Sequence, residues 1–482
     1  MTAIWTSMDA ETATGGHATA DWQASGVSID SRSIEKGDLF VAISGPNVDG
    51  HHYVESAFAG GAVAAVVTNA WAAGQDKSNT EMPLLLVADT MAGLEALARS
   101  ARERCTARIA AITGSAGKTG TKDMLVKALA SQGRTSSTRG NLNNHWGLPL
   151  SLARMPADSE FGVFELGMSH SGEIGHLSAL VRPNLAVITN VEAAHLAFFN
   201  SEQEIADAKA EIFQGMDATG AVLLNRDNRH FERLRRHAER NGIERIFSFG
   251  AHAEAEFRLL DCVLTSQGSD VRASVFGDVV AFHVGAPGRH WVQNGLAVIG
   301  ASYLLDTDLR ATTAALADVR PAKGRGLRHT VTVASGDFEL IDESYNANPA
   351  SMRAAFEVLA NTHPRVGGRR IAVLGDMLEL GPDAPALHRE LAADIANNDV
   401  DLLYLAGEHM ATLATAIPAQ TVGACETTSD RLTDPVAATV ASGDVVLVKG
   451  SLGSNMACIV DALLALDSTS TLARRRHPGH NA

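Results

Sequence analysis

Only four cysteines occur in these 482 residues: Cys105, Cys262, Cys425 and Cys458. They are scattered, with no pair at metal-ligand spacing, which excludes a disulfide framework or a cysteine-built zinc site and fits idle thiols in a reducing cytosol. A basic surplus is also missing. Lys and Arg total 40 against 55 Asp and Glu, a formal net charge of −15, so a general nucleic-acid binder is excluded for want of cations to displace counterions. Binding one anionic nucleotide stays open, because that needs only local N–H groups and a few cations. No long apolar run is present either. The longest, near residues 57–67, carries glycines and is too short to span a membrane. Residues 1–16 hold acidic groups and no basic segment leading into an apolar one, so they do not read as a signal peptide. No Ser-His-Asp or Cys-His set stands out. The cytoplasm is the expected location.

What is present suits a soluble globular chain: 45% hydrophobic and 20% charged residues. The length exceeds one ordinary core and predicts two or three domains. Residues 1–106 mix short strands (38–42, 64–67, 84–87) with an Ala-rich helix near 90–104. From 107 to 320, apolar strands at 109–112, 161–166, 186–189 and 221–224 alternate with helical stretches, which predicts a parallel sheet flanked by helices. The alternation resumes from 321, with buried strands at 371–374, 402–406 and 445–448. Arg320-Pro321-Ala322-Lys323-Gly324-Arg325-Gly326 has linker chemistry and marks a boundary. Domains are therefore expected at 1–106, 107–320 and 321–467, with a disordered tail at 468–482. No repeat of fixed period is visible.

The most informative stretch runs from Ile109 through Thr113-Gly114-Ser115-Ala116-Gly117-Lys118-Thr119, with a helical pattern from Gly120 to Ala130. Glycines let N–H groups converge on phosphate, a lysine neutralises charge and a threonine hydroxyl can hold Mg²⁺. Gly114, Ser115, Ala116, Gly117, Lys118, Thr119 and Gly120 are thus candidate nucleotide contacts. The strict eight-residue phosphate-loop pattern nevertheless fails, because its first glycine position holds Ile112. Glu165 ends the next apolar strand, and carboxylates there face the ligand crevice, which makes it a candidate metal ligand, though taken alone it reads equally well as a helix-capping or salt-bridged residue. His195 follows a third strand and Lys209 lies in a helical stretch at 206–213. Alone, the first reads as a structural histidine and the second as a solvated helix lysine.

Taken together and in this order, these pieces resemble the ATP-dependent Mur ligase family, whose phosphate loop has the shorter Thr-Gly-x-x-Gly-Lys-Thr form. The resemblance covers nearly the whole chain. Ser28-Ile29-Asp30-Ser31-Arg32 with Lys36-Gly37-Asp38 resembles the family's UDP-sugar module, and Gly140-Asn141-Leu142-Asn143-Asn144 its central substrate loop. Asp342-Glu343-Ser344-Tyr345-Asn346-Ala347-Asn348-Pro349 and Leu374-Gly375-Asp376-Met377-Leu378-Glu379-Leu380-Gly381 are most similar to the member that adds D-alanyl-D-alanine to UDP-N-acetylmuramoyl-tripeptide.

The resemblance implies an α/β protein of three domains: a UDP-sugar module, a central parallel-sheet ATPase domain and a C-terminal Rossmann-like domain. It implies ATP and Mg²⁺ as cofactors and an acyl-phosphate route to an amide. Lys118 and Thr119 would hold phosphates and one Mg²⁺ with Glu165; His195 would hold a second, supported by Lys209 once carbamylated by CO₂. Asn294 and Arg325 would face the nucleotide with Asp342, and Ser31, Asn141, Asn144, Tyr345, Asn346 and Asn348 the other substrates. A monomer acting on small molecules is expected, with no nucleic-acid or membrane partner. Glu343 stands where a second Asp is commoner, and residues 449–456 lack the arginine that relatives usually carry near 452 or 455. His145 is assigned nothing. The alternatives are a sister ligase adding a diamino acid or polyglutamating folate, a phosphate-loop kinase or mechanical ATPase, and an inactive UDP-sugar-binding scaffold.

Overall fold

The computed structural model describes residues 3–45, 48–75, 82–193 and 196–468. His195 and residues 469–482 of the expected tail lie outside the described residues. Among the described residues, three sheets of five or more strands divide the chain, beside a two-stranded antiparallel pair of Trp5–Thr6 with Gln23–Ala24.

The N-terminal sheet runs in the order His17–Ala18, Leu84–Val87, Ala64–Thr68, Asp38–Val41, Gly26–Ser28, parallel except for its first strand. The central sheet has nine strands. Thr135–Ser137, Phe161–Glu165, Arg108–Thr113, Leu185–Ile188, Ala221–Asn225, Arg245–Gly250 and Phe257–Leu264 are parallel neighbours in that spatial order. Ser269–Val275 and Asp278–Val284 then extend it antiparallel. The C-terminal sheet orders Leu327–Val333, Gly336–Glu343, Val445–Lys449, Arg370–Gly375, Leu402–Ala406 and Val422–Glu426, with only the first pair antiparallel.

Period-two alternation explains the layering of the central domain. Ile109 and Ala111 point into a core shared with Phe164, Ile188 and Leu224. Ala110 and Ile112 point into the opposite core with Val163, Val187 and Leu223. Both faces are covered by helices, so these strands read as continuous apolar runs. The antiparallel extension departs from the expected all-parallel sheet because residues 269–275 bury only alternate side chains, the signature of a half-buried hairpin. Its turn is Phe276-Gly277, with φ of 49° and 100°, the doubly positive geometry of a two-residue hairpin. The helix expected at 206–213 begins earlier, at Glu202, because the Ser201 hydroxyl accepts from the Glu204 N–H and caps it.

The N-terminal and central domains are stapled together. Trp5 Nε1 donates to Ala153 O at 2.8 Å, and Arg102 donates to Val181 O at 2.7 Å and Arg182 O at 3.0 Å. The C-terminal domain touches the centre more lightly, through an Ala197 N–H to Glu379 O bond of 3.0 Å. No helix among the described residues is long and apolar enough to cross a membrane.

Candidate active site

Strand Arg108–Thr113 lies beside Leu185–Ile188 on one side and Phe161–Glu165 on the other. The chain reverses direction across the sheet here, and ligands of open α/β sheets bind outside the strand ends at such a switch point. Residues 114–117 turn out of the strand into helix Lys118–Ala130. Gly117 has φ of 83°, and a Cβ there would lie 2.6 Å from Asn294 Oδ1. Only glycine meets both demands, and the contact places Asn294, on helix Arg289–Leu304, against the loop. The loop is tied to strand Leu185–Ile188 as well. Thr189 Oγ1 donates to Ala116 O at 2.6 Å, Ser115 N–H donates to Asn190 O at 2.8 Å, and Ser115 Oγ donates to Glu192 O at 3.0 Å.

Lys118 is half-buried and its Nζ donates to Gly114 O at 2.6 Å. Burial lowers its pKa, Glu165 opposes that shift and Arg325 adds to it. The central lysine and carboxylate therefore share one electrostatic neighbourhood with an arginine of the C-terminal domain. Lys209 joins them. It is 1% exposed, and burial with the nearby Lys118 charge pushes its pKa well below the ordinary lysine value.

Glu165 is 2% exposed. Its N–H donates to Thr138 Oγ1 at 3.1 Å, and its Oε1 accepts from Asn143 Nδ2 at 2.7 Å. Its Oε2 is buried without a partner. A carboxylate oxygen left unpaired costs free energy unless a cation completes it. Among the described residues, no group of three His, Cys, Asp or Glu is gathered as a metal site. That donor set fits Mg²⁺, which keeps several waters and takes one or two carboxylates plus phosphate oxygens.

A cleft of about 510 Å³ opens next to the loop, between the central and C-terminal domains. Asn190, Asn225, Asp227 and Gln293 line it from the centre, and Pro349, Arg353 and Glu390 from the other side.

Three family descriptions match the chain in series: Mur ligase family catalytic domain over residues 23–104, Mur ligase middle domain over 112–302, and Mur ligase glutamate ligase domain over 328–452. The UDP-N-acetylmuramoyl-tripeptide–D-alanyl-D-alanine ligase of Rickettsia prowazekii is 32% identical over 460 residues, 95% of this chain and 99% of its own. The chain belongs to the Mur ligase family. Two solved Mur ligases share its whole architecture. MurF from Acinetobacter baumannii superposes with a TM-score of 0.82 at 28% identity, covering 96% of this chain and 99% of that one. MurF from Thermotoga maritima, solved with ADP, gives 0.75 at 25% identity, covering 92% and 98%.

Within this Mur ligase the structure brings Lys118, Glu165, Lys209, Arg325 and Asn294 to one region, with Thr119 and Gly120 in the first turn of the loop helix. Arg325 lies over the Tyr345 ring, with Cζ 4.1 Å from its centroid. Asp342 is fully buried and accepts from Gly324 N–H at 2.8 Å and Ser344 Oγ at 2.6 Å, so its carboxylate shapes the turn that carries Arg325. Asn144 Oδ1 accepts from Gly147 N–H at 2.9 Å, at the start of helix Gly147–Ala153, and Asn348 caps helix Pro349–Ala360. Asn141 and Asn346 are exposed, and Ser31 lies in a one-turn helix of the N-terminal domain. Sequence reasoning passed over Asn143, which holds Glu165, although it sits inside the Gly140–Asn144 motif. It also passed over Thr189, which holds the phosphate loop, and Lys449, whose burial at the end of an apolar strand gave no signal.

Proposed function

We propose that this chain is the Mur ligase that joins D-alanyl-D-alanine to the terminal carboxylate of UDP-N-acetylmuramoyl-tripeptide, with ATP converted to ADP and phosphate. The observation that carries it is the convergence of Lys118, Glu165, Lys209 and Arg325 at a phosphate loop facing a second domain. The similarity to ligases so named over nearly the full chain supports the substrate pair.

A carboxylate oxygen is a poor leaving group, so amide formation needs activation. The tripeptide carboxylate attacks the γ-phosphorus of ATP, giving an acyl phosphate and ADP. The amine of the dipeptide then adds to the acyl carbon, loses a proton, and the tetrahedral intermediate expels phosphate. The protein supplies position and charge: loop N–H groups and Lys118 on the phosphates, and Arg325 from across the cleft. Mg²⁺, held by Glu165 and Thr119, would neutralise phosphate charge when bound. Burial shifts Lys209 toward the neutral amine, the form that can add to CO₂; the resulting carbamate, with His195, would serve a second Mg²⁺. Domain boundaries at 106/107 and 320/321, a monomeric state and a cytoplasmic location belong to the same reading.

Phosphate release with the UDP-tripeptide, ATP and either D-alanyl-D-alanine or free amino acids tests it. Turnover only with the dipeptide is expected. Turnover with a free diamino acid or glutamate, or ADP formation with no acceptor, would overturn the assignment.

A further inference from the structure

Lys449 ends strand Val445–Lys449 and is 1% exposed. Its Nζ donates to Glu343 Oε2 at 3.2 Å and to Asn346 O at 3.0 Å. A buried ion pair is a poor device for stability, since apolar residues of the same volume hold a core as well or better. Its value lies in fixing one geometry, and what it fixes here is specific. Glu343 and Asn346 bracket Tyr345, the residue on which the Arg325 guanidinium lies. The Tyr345 N–H donates to Gly324 O at 3.0 Å, and the Gly326 N–H donates to Asp342 O at 2.7 Å. Gly324, before Arg325, is thus bound to the segment that Lys449 clamps, and Gly326, after it, to Asp342 at that segment's edge. The central domain faces the pair through His290, whose Nδ1 is buried without a partner and whose pKa burial lowers, with Glu343 opposing that shift and Lys449 adding to it. His290 lies one helical turn before Asn294, the residue that abuts the phosphate loop.

We propose that Lys449, paired with Glu343, is a positioning residue for ligation: it clamps the 343–346 turn so that Tyr345 holds the Arg325 guanidinium toward Lys118. The inference rests on the reading of Arg325 as a phosphate-facing group. Lys449 touches no substrate. It acts by restricting where the arginine can go, and such misplacement lowers the rate of chemistry more than it weakens substrate binding. An arginine at 449 could still reach Glu343 and Asn346, whereas a methionine keeps the volume and loses the clamp.

The test is steady-state phosphate release with the full chain. Lys449→Met is expected to lower kcat roughly 10- to 100-fold with the KM for UDP-tripeptide within about twofold, and Lys449→Arg to recover part of the loss. Tyr345→Leu should lower kcat by the same route, so the Lys449→Met/Tyr345→Leu double variant should be no slower than the worse single variant. Multiplicative losses would overturn the proposal, as would an unchanged kcat in Lys449→Met. If Lys449→Met does not fold, Glu343→Gln/Lys449→Met removes both charges, and a folded double variant with wild-type kcat is equally fatal. Arg325→Ala separates the two readings. A wild-type rate there refutes the role given to Arg325, whereas a large loss beside an unaffected Lys449→Met refutes only the clamp.

Discussion

Replacing Lys209 by methionine should make the protein more stable and much less active. Lys209 is 1% exposed, and Lys118 is close enough to oppose its charge. Methionine keeps the volume and removes the desolvation cost. A gain on the order of 1 kcal/mol is expected, read as roughly 2–4 °C in the melting temperature of a domain this size. The pH dependence has a fixed sign. The folded pKa lies well below the ordinary value near 10.5, so between the two values the unfolded chain binds the extra proton. Wild-type stability should therefore rise as pH climbs toward 10, and Lys209→Met should lack that increment. Activity should move the other way, with kcat falling at least about 100-fold, or some 2.7 kcal/mol in the barrier. A neutral amine can take up CO₂, so wild-type activity should fall in bicarbonate-free buffer and return on adding bicarbonate. Lys209→Ala leaves a gap into which a small carboxylate fits, and acetate or formate should restore part of its rate. A Lys209→Met enzyme with wild-type kcat, or wild-type turnover indifferent to bicarbonate, would refute the argument. A fall in stability would refute the picture of a buried amine whose charge is disfavoured by desolvation and by Lys118.

Glu165→Gln keeps the shape but donates where a cation is expected; the Mg²⁺ concentration for half-maximal rate should rise by roughly 10-fold or more, measured by Mg²⁺ titration of phosphate release. Asn143→Ala frees the Glu165 carboxylate from its 2.7 Å donor and should give a milder shift of the same kind, with thermal stability little altered. His388 is fully buried, with Nδ1 against Ala384 O at 2.7 Å and Nε2 accepting from Met377 N–H at 2.9 Å. Burial lowers its pKa below 6.5, so the C-terminal domain should lose stability as pH falls below about 6.5. Acid unfolding followed by circular dichroism should show His388→Gln losing less between pH 6.5 and 5 than the wild type.

How much of this was legible beforehand follows from which interactions are local. The runs around Ile109–Ile112 and Val445–Val448 were visible as strands because both faces are buried, and burial on both faces leaves no polar residue to blur the run. The phosphate loop was readable because its chemistry is compressed into seven adjacent residues. The hairpins at 257–284 were not, since half-buried strands with mixed polarity resemble surface segments until their partner strand is known. The roles of the asparagines show the same limit. Asn143 and Asn144 are neighbours in one motif, yet one holds the Glu165 carboxylate and the other accepts from the Gly147 N–H at the start of a helix, a division decided by contacts 22 and 3 residues away. Asp342 and Glu343 diverge likewise: the first is sealed behind the Gly324 N–H, and the second reaches across to a lysine 106 residues later. Sequence adjacency marks where a site lies. Which side chain meets substrate and which holds its neighbour is set by the domain joint, and the Lys449 and Lys209 variants probe that joint from its two sides.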